Sequence, residues 1–277
     1  MQERLTDGIS VEPSVTKLGP AHRGSVLVAG SHGGRYAAWL AVRAGVRGVI
    51  LNDAGRGLED AGIAGIHWLD DIELPAATVD AWSARIGDGA DMMARGRISA
   101  VNRTAAALGC AVGMAALDAA RAMTRAPLID RAIPMLDEGR QLLRAAGAQP
   151  AIWALDSAAL VRSEDAGAVL IIGSHGGAPG GDPARALQAD ALAAVFNDAG
   201  IGIDRAGLSR LPMLDSRGIA AATVGAATAR IGEGDSAWRT GIISVVNDTA
   251  REKGGRPGQT VPDFVATITT TPWREPE

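Results

Sequence analysis

Lysine is almost missing from this chain. Only Lys17 and Lys253 occur in 277 residues, and neither lies within the motifs described below. A P-loop needs a lysine on the phosphates and an imine-forming enzyme needs a reactive one, so both chemistries are excluded for those motifs. Cysteine is a single residue, Cys110. One thiol makes no internal disulfide, which fits a reducing, cytoplasmic setting, and it rules out catalysis by a pair of thiols. Tyr36 is the lone tyrosine. No apolar run approaches the ~18 residues of a membrane span. The first residues, Met-Gln-Glu-Arg-Leu-Thr-Asp, lack an apolar segment, so no signal peptide is expected. Net charge is −4 and the basic residues form no long run, which argues against nucleic acid as a partner. The repeated motifs contain no GxGxxG, HExxH, CxxC or GxSxG pattern.

What the chain has is a repeat of itself, strongest in its polar, turn-forming parts. Ser31-His32-Gly33-Gly34 returns as Ser174-His175-Gly176-Gly177, and Asn52-Asp53-Ala54-Gly55 as Asn197-Asp198-Ala199-Gly200. Ala84-Arg85-Ile86-Gly87 returns as Ala229-Arg230-Ile231-Gly232, and Ile98-Ser99 with Asn102 as Ile243-Ser244 with Asn247. Residues 48–104 laid on 193–249, a shift of 145, agree at 25 of 57 positions without a gap. A duplicated core needs only similar apolar residues. Retained His, Asp, Arg and Ser imply a shared structural demand or a shared chemical one.

Short apolar runs ended by glycine or polar residues read as buried strands: Ser25 to Ala29 and Gly48 to Leu51, with Ala168 to Ile172 and Ala193 to Phe196 as counterparts. Leu74 to Val79 and Ile219 to Val224 read as third strands. Helical spacing is expected over 35–45, near 59–71, over 90–108 and over 113–123. In the second copy Asp182 is the expected N-cap and Pro183 the first helical residue. The strands lack alternation, as expected when helices cover both faces. The expected fold is therefore α/β: an internally duplicated chain of two parallel-sheet, Rossmann-like lobes related by a pseudo-twofold axis. The first repeat covers 8–123, an amphipathic helical connector 124–150, the second repeat 151–268, and a loose tail 269–277. The less favoured arrangement merges both copies into one sheet.

Ligands of open parallel sheets bind beyond the carboxyl ends of the strands, where these motifs fall. His32 and His175 are two of only four histidines and are candidates for a general base, a general acid or a metal ligand. Asp53 and Asp198 would orient them, unless both serve as turn-capping residues. Ser31 and Ser174 are candidate nucleophiles; sequential neighbours point apart, so each would use the histidine of the other copy. Gly33, Gly34, Gly176 and Gly177 would bring backbone amides to an oxyanion. Asn52 and Asn197 would orient a polar substituent. Arg85 and Arg230 would grip an anion, or else pair with Asp88 and Glu233. Ser99 with Asn102, and Ser244 with Asn247, suit hydrogen bonding at helix ends. Asp70 and Asp215 read as turn residues, and His22 and His67 as structural or surface residues.

The expected function is an enzyme acting on a small, polar, anionic molecule between the lobes, with His/Asp acid–base chemistry. Hydrolysis or elimination at a C–N or C–O bond leads; a two-base isomerase is the nearest variant. The alternative from another class is a non-catalytic anion-binding or regulatory protein. No organic cofactor is predicted; a divalent metal is possible if two histidines and two aspartates meet at the axis. The expected partners are a small-molecule substrate and a further copy of the chain in a homo-oligomer. One composite site is expected, because the copies differ beside the first motif: Tyr36 and Trp39 in one, Ala178-Pro179-Gly180-Gly181-Asp182 in the other.

Overall fold

Two separate sheets organise the molecule, which is described by a computed structural model over residues 4–5, 8–129, 133–144 and 150–269. The first is built from β2 (Ile9–Glu12), β3 (Val26–His32), β4 (Gly48–Asn52), β5 (Ala76–Val79) and β6 (Ile98–Val101), with the two-residue β1 (Arg4–Leu5) on the outer edge of β2. The second contains β7 (Arg140–Arg144), β8 (Ile152–Leu155), β9 (Val169–His175), β10 (Ala193–Asn197), β11 (Ala220–Val224) and β12 (Ile243–Val246). In each, four parallel strands lie in chain order between antiparallel edges. The order never reverses, so there is no Rossmann-type switch point. A ligand cleft has to arise between the sheets instead.

Helices cover both faces, which explains the unbroken apolar strands. The first half carries α1 (Arg35–Arg43), α2 (Ala64–Asp70), α3 (Gly89–Arg95), α4 (Arg103–Ala107) and α5 (Ala116–Met123). Leu27, Val49 and Leu51 pack on α1 and α2; Val28, Ile50 and Val79 turn the other way, onto α3 and α5. The second half carries α6 (Arg210–Asp215), α7 (Gly234–Thr240), α8 (Asp248–Glu252) and α9 (Val261–Thr269). Leu170 and Phe196 face α6, while Ile171 and Val195 face α7 and α9.

Three expectations are corrected. The helix over 90–108 is α3, then β6, then α4; β6 returns antiparallel to β5. Ser99 therefore lies on a strand, with its hydroxyl 3.1 Å from that of Thr78, while Asn102 caps α4 through the Ala105 amide. The connector is not helical where it is described: 133–139 is irregular, β7 is a strand paired with β8, and 130–132 and 145–149 lie outside the described residues. Pro127 and Pro134 break any helix there, and the Pro134 carbonyl accepts from Trp39 Nε1 instead. In the second half the counterpart of α1 shrinks to 3₁₀ turns at Pro179–Gly181 and Pro183–Arg185; Asp182 does cap the latter, accepting from the Ala184 amide at 3.0 Å. Of the expected tail, Thr269 ends α9, and 270–277 lie outside the described residues.

The halves meet along a seam made by the Asn-Asp-Ala-Gly loops. Ala54, Gly55, Arg56 and Gly57 all have positive φ, as do Ala199, Gly200, Ile201 and Gly202. Left-handed backbone costs a non-glycine residue roughly 1–2 kcal/mol, so side chains must hold it. Asn52 Oδ1 accepts from the Ala54 amide and Asp53 Oδ1 from those of Gly55 and Ala81. Asn197 and Asp198 repeat these bonds at Ala199, Gly200 and Ala226. The Leu58 amide then donates to Ala226 O, and the Ile203 amide to Ala81 O, each across the seam.

Candidate functional site: a cleft between the two sheets

A cavity of about 440 Å³ opens between the halves, lined by Ser31, His32, Ser174 and His175, by Tyr36 and Glu138, and by Arg210. That volume suits a small molecule. His32 and His175 end β3 and β9. Their ring centroids lie 6.4 Å apart with planes at 80°, so one ligand can touch both.

Both imidazoles are neutral. Burial pulls His32 down to about 4. His175 is held well below the usual histidine range by burial first, then by the charge of Arg210 and by His32. The Gly34 amide donates to His32 Nδ1 at 3.1 Å, so the His32 proton sits on Nε2. The Gly177 amide approaches His175 Nδ1 without reaching hydrogen-bond geometry, and that nitrogen is buried and unpartnered.

The serines line the cleft but are already engaged. Ser31 Oγ accepts from the Val15 amide and Ser174 Oγ from the Ala158 amide, both at 3.1 Å. These bonds tie down the 3₁₀ turns Val15–Lys17 and Ala158–Leu160. Among the described residues no hydrogen bond joins either serine to an imidazole, within a copy or across it.

The other sequence candidates are not brought into the cleft. Asp53 and Asp198 hold the seam loops and make no hydrogen bond to an imidazole; burial raises the Asp53 carboxyl above its ordinary range, against the pull of its bonds to Ser99, Gly55 and Ala81. The amides of Asn52 and Asn197 close inward on Ala84 O and Ala229 O. Gly33 and Gly176 donate to Asn52 O and Asn197 O. A side chain at either glycine would meet the carbonyl of Gly62 or Gly207 at 2.5 and 2.4 Å, so close packing is what demands glycine there. Gly34 serves His32, and a Cβ on Gly177 would sit 3.0 Å from His175 Nδ1.

Arg85 pairs with Asp91 and, across the seam, with Asp204 at 2.8 Å; Arg230 pairs with Glu233 and, across it, with Glu59 at 2.8 Å. Both guanidinium groups are solvent-exposed. Arg85→Ala is expected to change the unfolding free energy by less than about 1 kcal/mol and to leave ligand affinity untouched, as read by denaturant titration and calorimetry. A metal centre made by two histidines and two aspartates does not fit these positions. Among the described residues no group of three or more His, Cys, Asp or Glu side chains is placed to hold a metal ion.

Asp70 and Asp215 cap α4 and α8, far from the cleft, by accepting from the amides of residues 103–104 and 248–249. His22 is buried against Glu12 at 2.9 Å, and His67 is exposed.

Two residues of the cleft lie outside the repeated motifs. Glu138 comes from the irregular stretch before β7. Burial pushes its carboxyl up to about 7, helped by the charge of Asp156 and opposed by hydrogen bonds from Ser157 and Tyr36. The folded protein thus holds this proton more tightly than the unfolded chain does. Its stabilising effect is complete at low pH and disappears as pH rises from the ordinary carboxylate range through about 7. Glu138→Gln should remove that part of the pH dependence; denaturation midpoints at about pH 5 and about pH 8 check it. No repeated signal marked Glu138, because the connector has no counterpart.

Arg210 stands where the first half has Gly65. Both residues donate their amide to the preceding motif, Gly65 to Gly33 O at 2.8 Å and Arg210 to Gly176 O at 2.9 Å. At Gly65 a Cβ would strike Gly33 O and Ala38, because α1 packs there. The second half lacks that helix, and the Arg210 side chain fills the space, donating from Nε to Gly177 O and from Nη1 to the carbonyls of Arg185 and Ala186. Its signal in the sequence was a mismatch, glycine against arginine, inside an otherwise well-matched block.

Comparison with protein-family models, curated proteins and solved structures finds no match. Among the described residues no helix is long and apolar enough to cross a membrane.

Proposed function

We propose that this protein is an enzyme that moves protons on a small, polar, anionic molecule held in the cleft, by elimination at a C–O or C–N bond. The observation that carries the reading is the pair of neutral imidazoles, one from each half, lining one cavity. His175, kept unprotonated by burial and by Arg210, takes a proton from carbon. His32 donates a hydrogen bond from Nε2 to the leaving oxygen or nitrogen, which takes up the abstracted proton from the His175 imidazolium as that bond breaks and the double bond forms. With that transfer both imidazoles are neutral again. Hydrolysis through an activated serine has less support, since neither serine is hydrogen-bonded to an imidazole. An isomerase with the same two groups is the nearest variant, returning the proton to carbon.

The two halves are further proposed to be duplicates related by an approximate twofold axis. The recurring motifs, the equal strand orders and the reciprocal seam bonds support this. The test is turnover of a bound small carboxylate or amide by the wild-type protein, and its loss when His32 or His175 becomes alanine. Saturable binding with no product over long incubation would instead favour a non-catalytic anion-binding protein.

A further inference from the structure

Arg210 is a buried cation with no anion beside it among the described residues. It is 4% exposed, and its Cζ lies 5.2 Å from the Phe196 ring centroid. All its hydrogen-bond acceptors are uncharged carbonyls, and among the described residues no carboxylate forms an ion pair with it. The half-buried Arg140, 11% exposed in its side chain, meets Asp165 through two bonds at 2.7 and 3.1 Å, whereas the half-buried Arg47 also donates to carbonyls; Arg210 is buried more deeply than either. Removing an ion from water costs several kcal/mol unless a partner offsets it. Carbonyl dipoles offset part of that at Nε and Nη1. Nη2 makes no hydrogen bond to the described residues, and the side chain lines the cavity beside His175.

We propose that Arg210 anchors the carboxylate of a small monocarboxylic acid, whose charge completes the ion pair the fold omits. A single negative charge balances the single guanidinium. This deepens the proposed function by naming the substrate class, and it rests on that reading only for where the ligand lies.

The test is calorimetric titration of the intact protein with butyrate and 3-hydroxybutyrate, their neutral amides, and inorganic phosphate, on wild type, Arg210→Lys and Arg210→Met. The carboxylates should bind saturably and more than tenfold tighter than the amides or phosphate. Arg210→Met should lose that preference, and Arg210→Lys should keep part of it. Wild type alone suffices if the Met variant fails to fold: equal affinity for acid and amide, preference for phosphate, or no binding overturns the proposal. A carboxylate preference that survives in a folded Arg210→Met protein overturns it too, leaving Arg210 as a brace for residues 177–186. Binding is read without turnover, so an inert protein that still selects carboxylates through Arg210 would defeat only the elimination reading.

Discussion

Gly55→Ala should destabilise the protein by about 3 kcal/mol or more. Two penalties coincide there. Gly55 has φ +68°, which alone costs alanine roughly 1–2 kcal/mol. The new Cβ would also lie 2.8 Å from Gly200 Cα and 3.3 Å from its nitrogen. Those are backbone atoms of the opposite loop, so no rotamer relieves the contact, and the halves must separate. Gly200→Ala meets Gly55 Cα at 2.9 Å and should behave alike. Gly218 is the control: its φ is +66° but nothing lies within 4 Å. Gly218→Ala should show the backbone cost alone. Equal losses at Gly55 and Gly218 in denaturant melts would mean that the seam is not closely packed.

Replacing His32 or His175 by alanine should lower kcat/KM by about 10²–10⁴. The second replacement should add little, because the two imidazoles act on one event. Full turnover in either single variant would end the acid–base reading. The pH dependence separates the groups further. The His32 pKa is depressed in the fold, so its contribution to stability is complete above the ordinary histidine range and is lost as pH falls toward about 4. A stability limb near 7 belongs instead to Glu138, and it should vanish in Glu138→Gln while the loss toward about 4 persists. A limb near 7 that survives in Glu138→Gln would assign it to another group.

The parallel strands were legible because buried strands read as apolar runs with abrupt polar ends. The lining of the cleft was legible only where it coincided with a repeated motif, as at His32 and His175. Asn52, Asp53 and their counterparts show why repetition alone misleads. A polar residue that props up left-handed backbone and one that meets a substrate look the same in sequence, and both are kept in duplicate. Arg85 and Arg230 repeat because each clamps the opposite half. Two ionisable residues of the cleft, Arg210 and Glu138, lie where the halves differ. The strand β6 was hidden because four residues, Ile98 to Val101, fit within a longer helical spacing. The connector was misread because its apolar spacing outweighed Pro127 and Pro134, whereas an edge position beside β8 decided its conformation.

The replacement of Gly65 by Arg210 has a consequence for ancestry. If a single half once assembled with an identical twin, any change at this position appeared on both sides together. Two guanidinium groups would then have crowded one small chamber, or none would have been present. Joining such halves in one polypeptide would free each side to change alone, giving the chamber a head and a tail and any bound molecule one way round.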